Sequence, residues 1–109
     1  MKFEGIYTPL VTPHNDAFEI DTQRFTDVID MLIDAGVAGL IVAGTTGEYY
    51  AQTTEERFEL MQLAMKHIDD RVPLIVGTGA IRTEDSVKFA EQAAPVSYTH
   101  LTLPTIYSV

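Results

Sequence analysis

Ala38-Gly39-Leu40-Ile41-Val42-Ala43-Gly44-Thr45-Thr46-Gly47-Glu48 is the stretch that decides the fold of this chain. Its first six residues are apolar without alternation, the pattern of a strand covered on both faces, which points to a parallel sheet. The run then breaks into two glycines, two threonines and a glutamate, a loop of small polar residues. The same order recurs on either side. Upstream lies Gly5-Ile6-Tyr7-Thr8-Pro9-Leu10-Val11, a short strand ending near its prolines, and downstream lies Pro73-Leu74-Ile75-Val76 followed by Gly77-Thr78-Gly79-Ala80. Strand centres fall near Thr8, Ile41 and Ile75, and a repeat of about 34 residues fits consecutive βα units with right-handed crossovers.

Helices fill the intervals. After a polar turn at His14-Asn15-Asp16, Asp21 can cap a helix whose apolar positions Phe25, Val28, Ile29, Leu32 and Ile33 form a one-sided stripe. Gly36 sits where that helix should stop. Thr53 and Glu56 have the spacing of a capping box, and Phe58, Met61, Met65 and Ile68 mark the face of a second helix that ends at Asp69-Asp70. Thr83-Glu84-Asp85 opens a third helix with acidic groups at its positive end and a modest apolar face of Val87, Ala90 and Ala94. Doubly wound sheets and (β/α)₈ barrels both begin this way, so periodicity alone leaves the two open.

The 109 residues carry 16 acidic and 7 basic side chains, a formal charge of −9. That balance disfavours nucleic acid and anionic membranes as partners, because polyanions are repelled at long range. There is no cysteine, which excludes disulfides, thiolate chemistry and zinc–thiolate sites. His14, His67 and His100 are scattered over turn, helix and tail, so neither a metal nor a cofactor is expected. The start of the chain has no apolar h-region, and no apolar run approaches the roughly 18 residues that span a bilayer. The expectation is a soluble cytoplasmic protein.

In parallel α/β architectures ligands bind in the loops after the strands. Of the three such loops, Gly44 to Glu48 is the most informative. Its glycines let backbone N–H groups face a ligand and its hydroxyls add donors, which suits a carboxylate or a phosphate; a tight turn that binds nothing is the competing reading. A P-loop would need Gly-Lys-Ser/Thr where this loop has Gly47-Glu48, and that carboxylate would repel phosphate. Gly77-x-Gly79-x-x-Arg82 lacks the third glycine of a dinucleotide fingerprint and lies in the third unit, so it reads as a packed turn.

Taken together, Ile6 to Pro13, Gly44-Thr45-Thr46-Gly47-Glu48 and Gly77-Thr78-Gly79-Ala80, at the ends of three successive strands, resemble the dihydrodipicolinate synthase and N-acetylneuraminate lyase family. The resemblance covers residues 3 to about 94, and the middle motif is its specific element. It implies a (β/α)₈ TIM barrel, of which this chain supplies the first three βα units. In such a barrel a lysine forms a Schiff base with pyruvate or another 2-keto acid, the small-molecule partner. It also implies that Thr46 holds the keto acid's carboxylate, with Gly47 beside it, that Thr45 takes part in a hydroxyl proton relay, and that Thr8 lines the pocket. The family's lysine, on a sixth strand, and its catalytic tyrosine, after a fourth, have no counterparts here. The chain itself is therefore expected to be inactive, as the start of a homotetrameric lyase or aldolase. Lys66 and Lys88 fall on predicted helices, and Tyr49 and Tyr50 read as packing or pocket-wall residues. Tyr49-Tyr50 and Ile81-Arg82 depart from the residues common in the synthases, which leaves the 2-keto acid and its second substrate open.

The tail breaks the pattern. Residues 95–109 are rich in Ser and Thr, contain two prolines and carry no acidic or basic side chain other than a histidine. From Ser97 onward they resemble the translation of adapter sequence read through at the end of a cut gene. The expected division is residues 1–94 as the N-terminal part of a barrel and 95–109 as a non-native tail. The competing expectation, a complete small flavodoxin-like ligand-binding domain without covalent catalysis, needs the tail to be a genuine fourth strand.

Overall fold

A computed structural model describes the backbone over residues 4–96 and 100–102, and side chains over residues 4–93. In chain order the elements are β1 (Tyr7–Pro9), α1 (Thr22–Asp34), β2 (Gly39–Val42), α2 (Thr54–Ile68), β3 (Leu74–Gly77), α3 (Thr83–Val96) and β4 (His100–Thr102), with one 3₁₀ turn at Tyr49–Ala51. The strands form one parallel sheet in the order β1-β2-β3-β4, with Thr8 opposite Leu40 and Leu40 opposite Leu74. A flavodoxin-like sheet would put β1 between β2 and β3. The sequential order found here is that of a sheet on its way to closing as a barrel, so the flavodoxin-like alternative falls.

Local chemistry explains the helix limits. Asp21 accepts from the Arg24 N–H at the start of α1, and Gly36, at φ +93°, follows its end. Thr53 and Glu56 form the reciprocal capping box, which satisfies two of the orphan donors of α2. Asp69 and Asp70 both adopt left-handed conformations and stop that helix. Packing fixes the rest: α1 lies on α2 and α2 on α3. Phe25 and Ile29 of α1, Leu60, Met61, Ala64 and Ile68 of α2, and Phe89 and Ala93 of α3 are buried against Leu40, Val42, Leu74 and Val76.

Two details differ from the sequence reading. Among the described residues, helices cover the strands on one face only; Ile41 and Ile75, which point the other way, are half-buried. The third helix buries Phe89 and Ala93, while Val87 is half exposed. The Phe89 ring packs edge-on to Phe58 at 5.3 Å, and its larger apolar area outweighs that of a valine in setting the rotation of the helix. Residues 97–99 and 103–109 of the expected tail lie outside the described residues, so its non-native origin is left as an expectation; β4 runs parallel to β3 within it. No described helix is long and apolar enough to cross a membrane.

Candidate active site

At the C-terminal end of β2 the buried Ala43 takes a left-handed conformation, φ 59°, and turns the chain out of the sheet. The Gly47 N–H then donates to the Gly44 carbonyl at 3.1 Å and the Glu48 N–H to the Thr45 carbonyl at 2.9 Å. These two bonds make a tight turn whose middle residues are Thr45 and Thr46. Both are exposed. Among the described residues, neither their N–H groups nor their hydroxyls have a hydrogen-bond partner. Four donors on this turn, at the end of a parallel strand, are therefore unengaged among the described residues.

Gly47 is engaged differently. Its N–H is used inside the turn, and its carbonyl accepts from Thr12 Oγ1 at 2.8 Å and from Gln52 Nε2 at 2.8 Å. A Cβ at Gly47 would lie 2.9 Å from the Leu10 carbonyl oxygen, so the turn rests directly on the chain leaving β1. Thr8 is set back from this point. It is half-buried and in register with Leu40, whose side chain is buried among the helices.

Arg57 was not anticipated from the sequence. Only 3% exposed, it donates through Nη1 to the Gly79 carbonyl at 2.7 Å and through Nη2 to the Gly77 carbonyl at 2.9 Å. Its guanidinium stacks 3.7 Å over the Phe89 ring and 4.9 Å from the Tyr49 ring centre. Burial pulls its pKa down from the ordinary arginine value to about 10, with the neighbouring Tyr49 opposing the shift, so it stays charged at neutral pH. One cation thus ties the loop after β3 to α2 and to the 3₁₀ turn that carries Tyr49. The signal was legible: Arg57 lies on the same helical stripe as Leu60, Met61, Ala64 and Ile68. Thr12 lay inside the motif already singled out, but nothing in the sequence linked it to Gln52, 40 residues away.

Tyr49, Tyr50, Gln52, Arg57, Ile81 and Asp85 help to line a cleft of about 200 Å³ whose lining does not include Thr8, Thr45, Thr46 or Gly47. Lys66 and Lys88 are exposed on α2 and α3. Among the described residues no cluster of His, Cys, Asp and Glu could hold a metal ion.

Comparison with known proteins agrees with this architecture. Residues 2–103 match the model of the Dihydrodipicolinate synthetase family. The chain is 36% identical over 107 residues to 4-hydroxy-tetrahydrodipicolinate synthase of Bacillus subtilis (strain 168), covering 98% of this chain and 37% of that protein. The crystal structure of dihydrodipicolinate synthase from Aquifex aeolicus superposes with a TM-score of 0.87 at 30% identity, over 93% of this chain and 34% of the other. A prophage protein of the dihydrodipicolinic acid synthase family from E. coli K12, solved in complex with pyruvate, superposes with a TM-score of 0.89 at 30% identity, over 98% and 37%. The chain spans about a third of the length of the relatives it matches. It belongs to the dihydrodipicolinate synthetase family.

Proposed function

We propose that this chain supplies the carboxylate-binding part of a (β/α)₈ lyase or aldolase that forms a Schiff base with pyruvate or a related 2-keto acid. The enzyme would be of the 4-hydroxy-tetrahydrodipicolinate synthase kind. The observation that carries the reading is the pair of unengaged threonines on the anchored turn after β2. A 2-keto acid carboxylate needs donors that converge without a bulky cation, and the N–H groups and hydroxyls of Thr45 and Thr46 supply them. Thr46 takes the carboxylate, and Thr45 is placed for hydroxyl proton transfer. Gly47 serves by its backbone, while Thr8, in register with Leu40, supports the strand beneath the turn.

Holding the carboxylate fixes the keto carbon for attack by an amine, so the chemistry on this side of the pocket is positioning. The amine itself needs a lysine whose pKa is lowered by burial, and an exposed Lys66 or Lys88 does not meet that requirement. We assign the lysine and the catalytic tyrosine to later strands of the same barrel, and a homotetramer to the whole. Residues 95–109 are read as a non-native tail.

The test is borohydride trapping with pyruvate, read by mass spectrometry. The chain alone is expected to give no lysine adduct. A completed barrel, in which residues 1–94 replace the matching third of the Bacillus subtilis relative, is expected to give a stoichiometric one. An adduct on Lys66 or Lys88 of the chain alone would overturn the assignment.

A further inference from the structure

We propose that Thr12 and Gln52 are positioning residues that hold the Thr45–Thr46 turn in its carboxylate-binding form; the proposal rests on the reading of that turn given above. Three segments meet at one atom. The Gly47 carbonyl oxygen receives Thr12 Oγ1 and Gln52 Nε2, each at 2.8 Å, and Gln52 Nε2 lies 3.1 Å from Thr12 Oγ1. A carbonyl has two lone pairs, and both are occupied here.

The peptide on one side of Gly47 is fixed by its N–H bond to Gly44, and the peptide on the other side by these two donors. Thr45 and Thr46 lie between the Gly44 carbonyl and Gly47, the two ends of the turn's closing bond, so holding Gly47 on both sides restricts the direction of their N–H groups. Thr12 is buried, and Gln52 Oε1 is buried with no partner among the described residues. A glutamine serving only to satisfy itself would not leave its acceptor unpaired while its donor end makes two contacts. Its amide is committed to the turn. Neither side chain hydrogen-bonds to Thr45 or Thr46; they act through Gly47.

The test uses the ¹⁵N-labelled chain with sodium pyruvate as the probe. Amide exchange at Gly47 and Glu48 reports the turn, and pyruvate-induced shifts at Thr45 and Thr46 report the cradle. Thr12→Val and Gln52→Leu are each expected to weaken pyruvate binding by about tenfold, the effect of removing one donor from a buried carbonyl. Exchange at Gly47 and Glu48 should quicken in both variants while β3 amides keep their protection, and Thr12→Ser should restore both readouts. Free-peptide exchange at Gly47 and Glu48 in the unaltered chain would overturn the proposal. So would variants with unaltered exchange, or a serine variant that behaves as the valine one does. If pyruvate shifts neither threonine in the unaltered chain, yet serine-rescued quickening at Gly47 and Glu48 persists, the cradle reading fails and the clamp stands.

Discussion

A Cβ added to Gly77 would lie 2.2 Å from the carbonyl oxygen of Ala43, so the ends of β2 and β3 meet backbone to backbone. No side-chain rotation relieves such a contact. Gly77→Ala must push apart the two loops that flank the candidate site, at a cost of roughly 1–3 kcal/mol, the usual range for overpacking. Equilibrium urea unfolding should show a lower midpoint. An unchanged midpoint would mean that the two loops are not held at this spacing.

Arg57→Met separates charge from packing. Methionine keeps apolar contact with Phe89 but removes both donors to the half-buried carbonyls of Gly77 and Gly79. Relief of the desolvated charge offsets part of that loss, and a net destabilisation of about 1–3 kcal/mol is expected by urea unfolding. Lysine, which lacks the planar fork, should recover little of it. Full recovery by Arg57→Lys would argue against the two-carbonyl clamp.

Acid should loosen the contact between α1 and α2. Asp30 Oδ1 accepts from Arg71 Nη2 and His67 Nε2, each at 2.9 Å, and these bonds hold its carboxyl below the ordinary aspartate value of 3.8. A depressed acid contributes stability that is complete above its unfolded pKa and is lost as pH falls through the lower folded one. Denaturation midpoints measured from pH 6 downward should fall over that window, and Asp30→Asn should flatten the fall. An identical acid limb in both proteins would show that the network carries no linkage.

Phe18 is 89% exposed at φ 63°, in a turn closed by Asn15, whose side-chain oxygen accepts from the Ala17 and Glu19 N–H groups. A bulky L-residue in that conformation is strained by about 1–2 kcal/mol, while glycine is not. After glycine's greater unfolded-state entropy is counted, Phe18→Gly should still raise the urea midpoint without changing the slope. A lowered midpoint would imply that the ring is covered by something that stabilises the fold.

The sequence made the framework legible wherever one local rule decided the outcome. Asp21, Gly36, Thr53 and Glu56 mark helix ends by chemistry acting within four residues, and the strand centres at Thr8, Ile41 and Ile75 all lie inside observed strands. Strand order was legible only through the family resemblance, which implied a barrel; periodicity left it open, because order depends on which edges meet in space. Phe89 was passed over in favour of smaller residues, since the rotation of α3 is set by the partners Phe58 and Arg57. At the site, the motif pointed to Thr45 and Thr46. The anchoring of Gly47 by Thr12 and Gln52 joins residues 35 and 5 positions away and leaves no periodic trace.

Steady-state kinetics of the completed barrel, with and without Thr46→Val, bear most directly on the threonine turn. Removing the hydroxyl from a group that holds a charged carboxylate should raise the KM for pyruvate by roughly tenfold or more, the scale of one hydrogen bond to a charged group. The KM for the second substrate should stay unchanged. A pyruvate KM equal to that of the unaltered barrel, in a variant that folds normally, would contradict the account.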